Sequence, residues 1–400
     1  MSICKVLNQC PLTGDTENIK YLDLGLMPLA NNLYVCRKDA ISCPRYPLSV
    51  HLYVKSQLSM LSHAIDPRVL FSNYFYKSSI GQPYIEHCKK MYEYISRFIH
   101  IRKNDLFLDI GGNDGGLLRA VSALNSRINL LNIDPAENLV SDCREHGITS
   151  ICDFWSSALA SKIEKCKVII STNVFQHTED IEDFVLGINC ALTDDGIWCL
   201  EFPYWMDTLK NMQFDQVYHE HIYYYLVTPL YKLFDAYGLK IINISEHPIH
   251  CGTMRLIIAK KGKDADSLTA YRTAEQKMDL KYYLNWGSKV FEHMRKCQRF
   301  VESLSTESIA GFGAAAKGCI FLNSMKHMPL KYIADDTKSK QGKFVPGIGV
   351  EIVDRKRLID DPVDYLVILP HNFSDFIIQS LSDTYKGKFV LMFPEPHLYE

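Results

Sequence analysis

Several features are missing from this chain of 400 residues. No apolar run reaches the roughly 20 residues that a membrane-spanning helix requires. The N-terminus lacks the basic-then-apolar pattern of a signal peptide. Neither charge dominates: 44 Lys and Arg stand against 46 Asp and Glu, a formal net charge of -2. A nucleic-acid patch and a membrane-surface segment are therefore not expected. There is no internal repeat and no low-complexity tract. The 13 cysteines are odd in number and irregularly spaced. They read as reduced thiols, which places the chain in the cytoplasm. A small-molecule substrate is the expected partner, with no nucleic acid and no membrane. A monomer is expected, with oligomers left open.

The length allows two or three domains with cores of their own. The pattern divides into a small N-terminal unit (residues 1–75), a central α/β unit (76–262), connecting helices (263–304) and a second α/β unit (305–400). The first unit has short apolar pieces broken by Pro and Gly, as in Leu22-Asp23-Leu24-Gly25 and Pro28-Leu29-Ala30-Asn31-Asn32. Its Cys4, Cys10, Cys36 and Cys43 are separated within pairs by five and six residues. Structural zinc sites favour closer pairs, so zinc is doubtful and no metal site is assigned. A helix is predicted over 84–101 on helical periodicity.

The clearest local signal follows. Leu106-Phe107-Leu108-Asp109-Ile110 reads as a buried strand, Gly111-Gly112-Asn113-Asp114-Gly115-Gly116 as a turn, and Leu117 as the start of an apolar helix. Strand, glycine turn and helix open a doubly wound sheet. A second strand ends in Asp134, placed to accept from both ribose hydroxyls of an adenosine. A dinucleotide would want Gly-x-Gly-x-x-Gly, and the spacing here fits it poorly. Asp109 at the strand end suits a cationic ligand. S-adenosylmethionine, with an ammonium, a sulfonium and no phosphate, is favoured over a nicotinamide dinucleotide. Asp109, Gly111, Asn113, Gly115 and Asp134 are its expected contacts. Asp153 and Phe154 are expected at the adenine, with Asn173 and His177 at a later strand end.

Phe214-Asp215-Gln216-Val217-Tyr218-His219-Glu220-His221-Ile222-Tyr223-Tyr224-Tyr225 concentrates imidazoles, carboxylates and phenols. Imidazole beside carboxylate is equipment for moving protons near neutral pH. The stretch follows a strand of the donor-binding sheet, on the edge where such sheets bind ligands. The last unit begins Gly311-Phe312-Gly313-Ala314-Ala315-Ala316-Lys317-Gly318, which resembles a dinucleotide fingerprint with Ala316 in the third glycine's place. Its helix N-terminus with Lys317 is a phosphate seat, for a cofactor or for the diphosphate of a substrate.

In order, LDLG…PLANN, YFYKSS, LDIGGNDGGLL, the Asp153-Phe154 pair, FDQVYHEH, HCGTMR, GFGAAAKG and DD…KQGK…PG resemble the sugar C-methyltransferases that act on nucleotide-linked keto-deoxysugars. The resemblance runs over nearly the whole length. It implies an N-terminal domain, a central S-adenosylmethionine domain of class I methyltransferase type and a C-terminal Rossmann-like domain. The sugar nucleotide would lie between the last two. It implies a base-generated enolate: His221 as base, Glu220 orienting or assisting it, and Tyr76 and Tyr218 as hydroxyl donors. His219 ranks lower. Lys317, Gly313, Asn323 and His250 are expected on the substrate's side.

Three departures stand out. The family's second zinc pair would fall at Val50 and Tyr53, so the first unit is expected to be held by packing alone. Cys251 replaces a glycine beside the substrate, and His371 stands where tryptophan is usual. The alternatives are an NAD(P)-dependent oxidoreductase working through the C-terminal glycine turn, an O- or N-methyltransferase on a related sugar, and a relative without activity.

Overall fold

A computed structural model describes residues 3–72, 74, 77, 82–247, 252–304 and 307–399. Its centre is a seven-stranded sheet in the order Lys240–His247, Thr253–Ala259, Leu192–Pro203, Cys166–Thr172, Leu106–Ile110, Asn129–Asp134 and Thr149–Cys152. Thr253–Ala259 runs antiparallel to both its neighbours, and the other pairings are parallel. The inner strands read as unbroken apolar runs because both faces are covered. Val168 and Ile170 face one core with Met91 and Leu117, while Ile169 and Leu108 face the other with Phe184 and Trp198. The strand order reverses between Leu106–Ile110 and Cys166–Thr172. A crevice at their carboxyl ends is where such sheets take ligands.

The predicted helix over 84–101 is Gln82–Ile95. It ends early because the chain tightens: Arg97 N bonds Tyr94 O and Phe98 N bonds Ile95 O, each spanning three residues. The polar 263–304 segment forms two helices, Leu268–Glu275 and Leu280–Ser303. No helix among the described residues is long and apolar enough to cross a membrane.

A four-stranded antiparallel sheet combines Ile19–Pro28, Arg45–Tyr53 and Leu58–Leu61 with Tyr223–Tyr224 from the dense polar stretch. The helix Leu280–Ser303 lies on this sheet at Gly287. A Cβ there would stand 1.8 Å from the Tyr21 carbonyl oxygen. The N-terminal unit adds hydrogen bonds to its packing. Buried Cys10 Sγ donates to Ser56 Oγ at 3.3 Å, and Ser56 Oγ donates to Tyr53 O. Val50 and Tyr53, where a second ligand pair would have fallen, are apolar core. Among the described residues, no group of three His, Cys, Asp or Glu is placed to hold a metal.

The C-terminal sheet runs Ile352–Val353, Leu330–Ala334, Ile309–Phe312, Tyr365–Ile368, Lys388–Leu391 and His397–Leu398, parallel except at the last pairing. The helix Ala316–Ser324 leaves its glycine turn and packs on the Phe214–Gln216 turn of the dense polar stretch.

Candidate active site

The first half of the site is the glycine turn after Leu106–Ile110. Gly111 and Gly115 have φ of 64° and 73°, in the left-handed region that favours glycine, and Asn113 joins them at 57°. Gly112 is needed for space: a Cβ would meet Asn132 Oδ1 at 2.2 Å and Asp109 Oδ2 at 2.7 Å. Asp109 is buried, and its Oδ1 has no hydrogen-bond partner among the described residues. Burial, then the neighbouring Asp134, drives its carboxyl well above the usual range. Burial also lifts Asp134, to about 6. Two acids confined together with an open lone pair form a donor set for a cation, which would return them to the ionised form. The residues thus fit the ammonium end of S-adenosylmethionine.

Asp134 is already anchored by the backbone. Its oxygens already accept from Asn113 N at 2.9 Å and Ala136 N at 2.8 Å. A carboxylate has about four acceptor sites, so each oxygen retains a second lone pair for a ribose hydroxyl. Asp153 is exposed and Phe154 half-buried, at the exit of the edge strand Thr149–Cys152.

The segment after Cys166–Thr172 links the two halves of the site. Asn173 has φ of 55°, and its N–H donates to Glu201 O at 2.9 Å. Val174 fills the space beside Gly111. His177, expected with the cofactor, lies against the His221 ring at 5.0 Å and against Phe71 at 5.5 Å. Its ring contacts are thus with the dense polar stretch and with Phe71.

His221 is buried, and its Nδ1 pairs with Gln216 O at 2.9 Å. A carbonyl only accepts, so Nδ1 carries the proton and Nε2 keeps a lone pair. Burial, then the charges of His177 and Lys317, holds its protonation well below the usual range. The ring is neutral at physiological pH. Tyr218 lies over it, centroids 4.0 Å apart. Glu220, expected to orient or assist His221, has its hydrogen bonds on the other side. Its oxygens accept from Asn31 Nδ2 at 2.7 Å and Tyr74 OH at 2.9 Å. Burial raises its carboxyl to about 7, with those two hydrogen bonds opposing. His219 bonds Tyr46 O at 3.3 Å. Tyr223 and Tyr225 are packed and donate to backbone carbonyls of Glu179 and Phe175.

On the far side, Lys317 is the second residue of Ala316–Ser324, and its charge reaches both Asp215 and His221. Gly313 (φ 87°) is occupied by the protein itself, since a Cβ would meet Pro370 Cγ at 2.3 Å. Asn323, expected at the substrate, instead ties Cys319 O to Pro346 O at 2.9 and 3.0 Å. It sits near the far end of the helix. Asp335, the acid of the C-terminal fingerprint, accepts from Ala314 N and Thr337 N and pairs with Lys340 at 3.6 Å. Tyr76 and His250 lie outside the described residues.

Some members of the site were not singled out from sequence. Asn31 and Tyr74 lie within PLANN and YFYKSS. An amide in an apolar run was the available signal, since burying it is costly without a partner. Glu201 anchors a second buried cluster with Arg255 at 2.6 Å and His87 at 2.9 Å. Burial pushes Glu201 up, but His87 and Arg255 outweigh it and hold the carboxyl at about 2.

Residues 84–244 match the model of a methyltransferase domain, and residues 248–394 match that of a C-methyltransferase C-terminal domain. The C-methyltransferase NovU of Streptomyces niveus is 27% identical over 99% of this chain and 98% of its own length. Among solved structures, the plantazolicin methyltransferase BpumL with SAH is 13% identical, with a TM-score of 0.36 over 44% of this chain and 82% of that one. The CMeT domain of the citrinin polyketide synthase is 15% identical, with a TM-score of 0.35 over 46% and 53%. The central α/β sheet is of class I methyltransferase type. With a methyltransferase domain followed by a C-methyltransferase C-terminal domain, and with NovU aligned end to end, the chain is an S-adenosylmethionine-dependent methyltransferase similar over its length to a C-methyltransferase.

Proposed function

We propose that the protein methylates the carbon beside the ketone of a nucleotide-linked keto-deoxysugar. The observation that carries this reading is the setting of His221, its Nδ1–H fixed on Gln216 O and Tyr218 against its face. A carbon next to a ketone becomes nucleophilic only when a proton leaves. His221 Nε2 takes that proton, and the C–H electron pair moves to the ketone oxygen as an enolate. The Tyr218 hydroxyl, joined by Tyr76, donates to that oxygen. Bound S-adenosylmethionine supplies an electrophilic methyl group on a cationic sulfur.

Asp109, Asp134 and the glycine turn hold the donor's charged and ribose ends. Asn173, Asp153 and Phe154 complete its surroundings. Glu220, with a carboxyl at about 7, assists by exchanging the proton onward. Lys317 supports the nucleotide diphosphate at the helix N-terminus. The site has proton-transfer groups and a cation beside a methyl-donor turn, a combination suited to an acidic, enolisable substrate.

The test is labelled S-adenosylmethionine with a panel of keto-deoxysugar nucleotides. A new carbon–methyl bond in the product, seen by NMR, is expected with wild type. Transfer to oxygen or nitrogen, or a His221→Asn variant at the wild-type rate, would overturn the reading.

A further inference from the structure

The turn that orients His221 is held from outside its own sheet. In Phe214–Gln216, Asp215 is fully buried, and its Oδ2 accepts from His371 Nε2 at 3.1 Å. His371 follows the strand Tyr365–Ile368 of the C-terminal unit and is itself nearly buried. Its ring rests on Phe393 with centroids 4.5 Å apart, and Phe393 touches Phe214 at 5.6 Å. The C-terminal unit thus grips both sides of the turn, one through an apolar contact and one through a hydrogen bond.

A buried carboxylate left without a partner is strongly destabilised, so the His371 bond restricts where Asp215 can sit. Burial pushes the Asp215 carboxyl up. His371 and then Lys317 outweigh that, and it is held below its usual range. The turn is three residues long. Asp215 cannot shift without carrying the next carbonyl, Gln216 O, and that carbonyl is the acceptor for His221 Nδ1–H.

We propose that His371 is a positioning residue for methyl transfer, acting through Asp215 on the Phe214–Gln216 turn and so on the tautomer of His221. The C-terminal unit then takes part in arming the base as well as in holding substrate. This inference rests on the reading of His221 as the base.

The test uses His371→Phe, which keeps a ring on Phe393 and removes the donor, His371→Gln, which retains an N–H, and Asp215→Asn. In wild type, nitrogen NMR of labelled histidine should show His221 as one tautomer, protonated at Nδ1. In His371→Phe the two nitrogens should move toward averaged shifts. The kcat should fall on the order of tenfold or more, as small misplacements do, with the KM for S-adenosylmethionine unchanged. His371→Gln should recover most of the rate. The double variant His371→Phe/Asp215→Asn should be no slower than the slower single variant. Unchanged His221 shifts in His371→Phe, or additive losses in the double variant, would overturn the proposal. If instead His221→Asn keeps wild-type transfer while His371→Phe still disturbs the His221 shifts, the base assignment fails and the positioning link stands.

Discussion

Glu220 and Asp109 show how single side chains set the chemistry here. Glu220 has a carboxyl at about 7 against a usual 4.5. The folded protein therefore binds its proton more tightly than the unfolded chain does. Stability from this group is fully present below about pH 4.5 and is lost as pH rises through 7, by roughly 3 kcal/mol in all. Glu220→Gln should flatten that slope. Urea unfolding of both proteins at pH 5 and pH 8 checks it, and an equal pH dependence would contradict the assignment. At the donor end, burial lifts Asp134 to about 6 and raises Asp109 well above the usual carboxylate range, so ionisation is incomplete at mildly acidic pH. Binding a cationic ligand should release protons, and affinity should increase from pH 5.5 to 7.5. Calorimetry in buffers of different ionisation heat reads this directly. Asp109→Asn should weaken binding by about tenfold, the effect of roughly one pKa unit of lost interaction. The acids at strand ends were legible in sequence because strand, glycine turn and helix fix their place. The partners of Glu220 were not. Asn31 precedes it by far in the chain, and no local period reports that contact.

Whole strands were more legible than their neighbours. Leu106–Ile110 and Tyr365–Ile368 stand out as apolar runs because both their faces are covered. The pairing of Tyr223–Tyr224 with Leu58–Leu61 was hidden, since a strand of two residues has too little alternation to announce itself. Hidden too was the capping of the helix Val227–Ala236. Its N-cap, Leu226, has no side chain that could accept a bond. Buried Glu275 does this from another helix, accepting from Val227 N at 2.7 Å and Thr228 N at 2.8 Å, and from Tyr204 OH at 2.8 Å. A carboxylate at a helix N-terminus also meets the positive end of the helix dipole. Glu275→Ala leaves two buried backbone donors without this acceptor, and Tyr204 OH with only the Met206 sulfur, and should cost about 3 kcal/mol or more. Chemical denaturation is the measurement. A loss under about 1 kcal/mol, the worth of an ordinary exposed cap, would show that water replaces the carboxylate.

Across the molecule, the proposed site is assembled from pieces far apart in sequence. The N-terminal unit contributes Asn31, the central sheet contributes Asp109 and Asp134, and the polar loop contributes Tyr218, Glu220 and His221. The C-terminal unit adds Lys317 and His371. The order of motifs made this assembly legible as a resemblance, while its geometry depends on packing such as Gly287 against the Tyr21 carbonyl. The central claim is that His221 removes a proton from the carbon to be methylated. It is tested most directly by incubating the protein with a keto-deoxysugar nucleotide and S-adenosylhomocysteine in deuterated water, with no methyl available. Wild type should exchange deuterium into the position beside the ketone, and His221→Asn should not, while still binding S-adenosylhomocysteine. Exchange by the variant at the wild-type rate would contradict the claim.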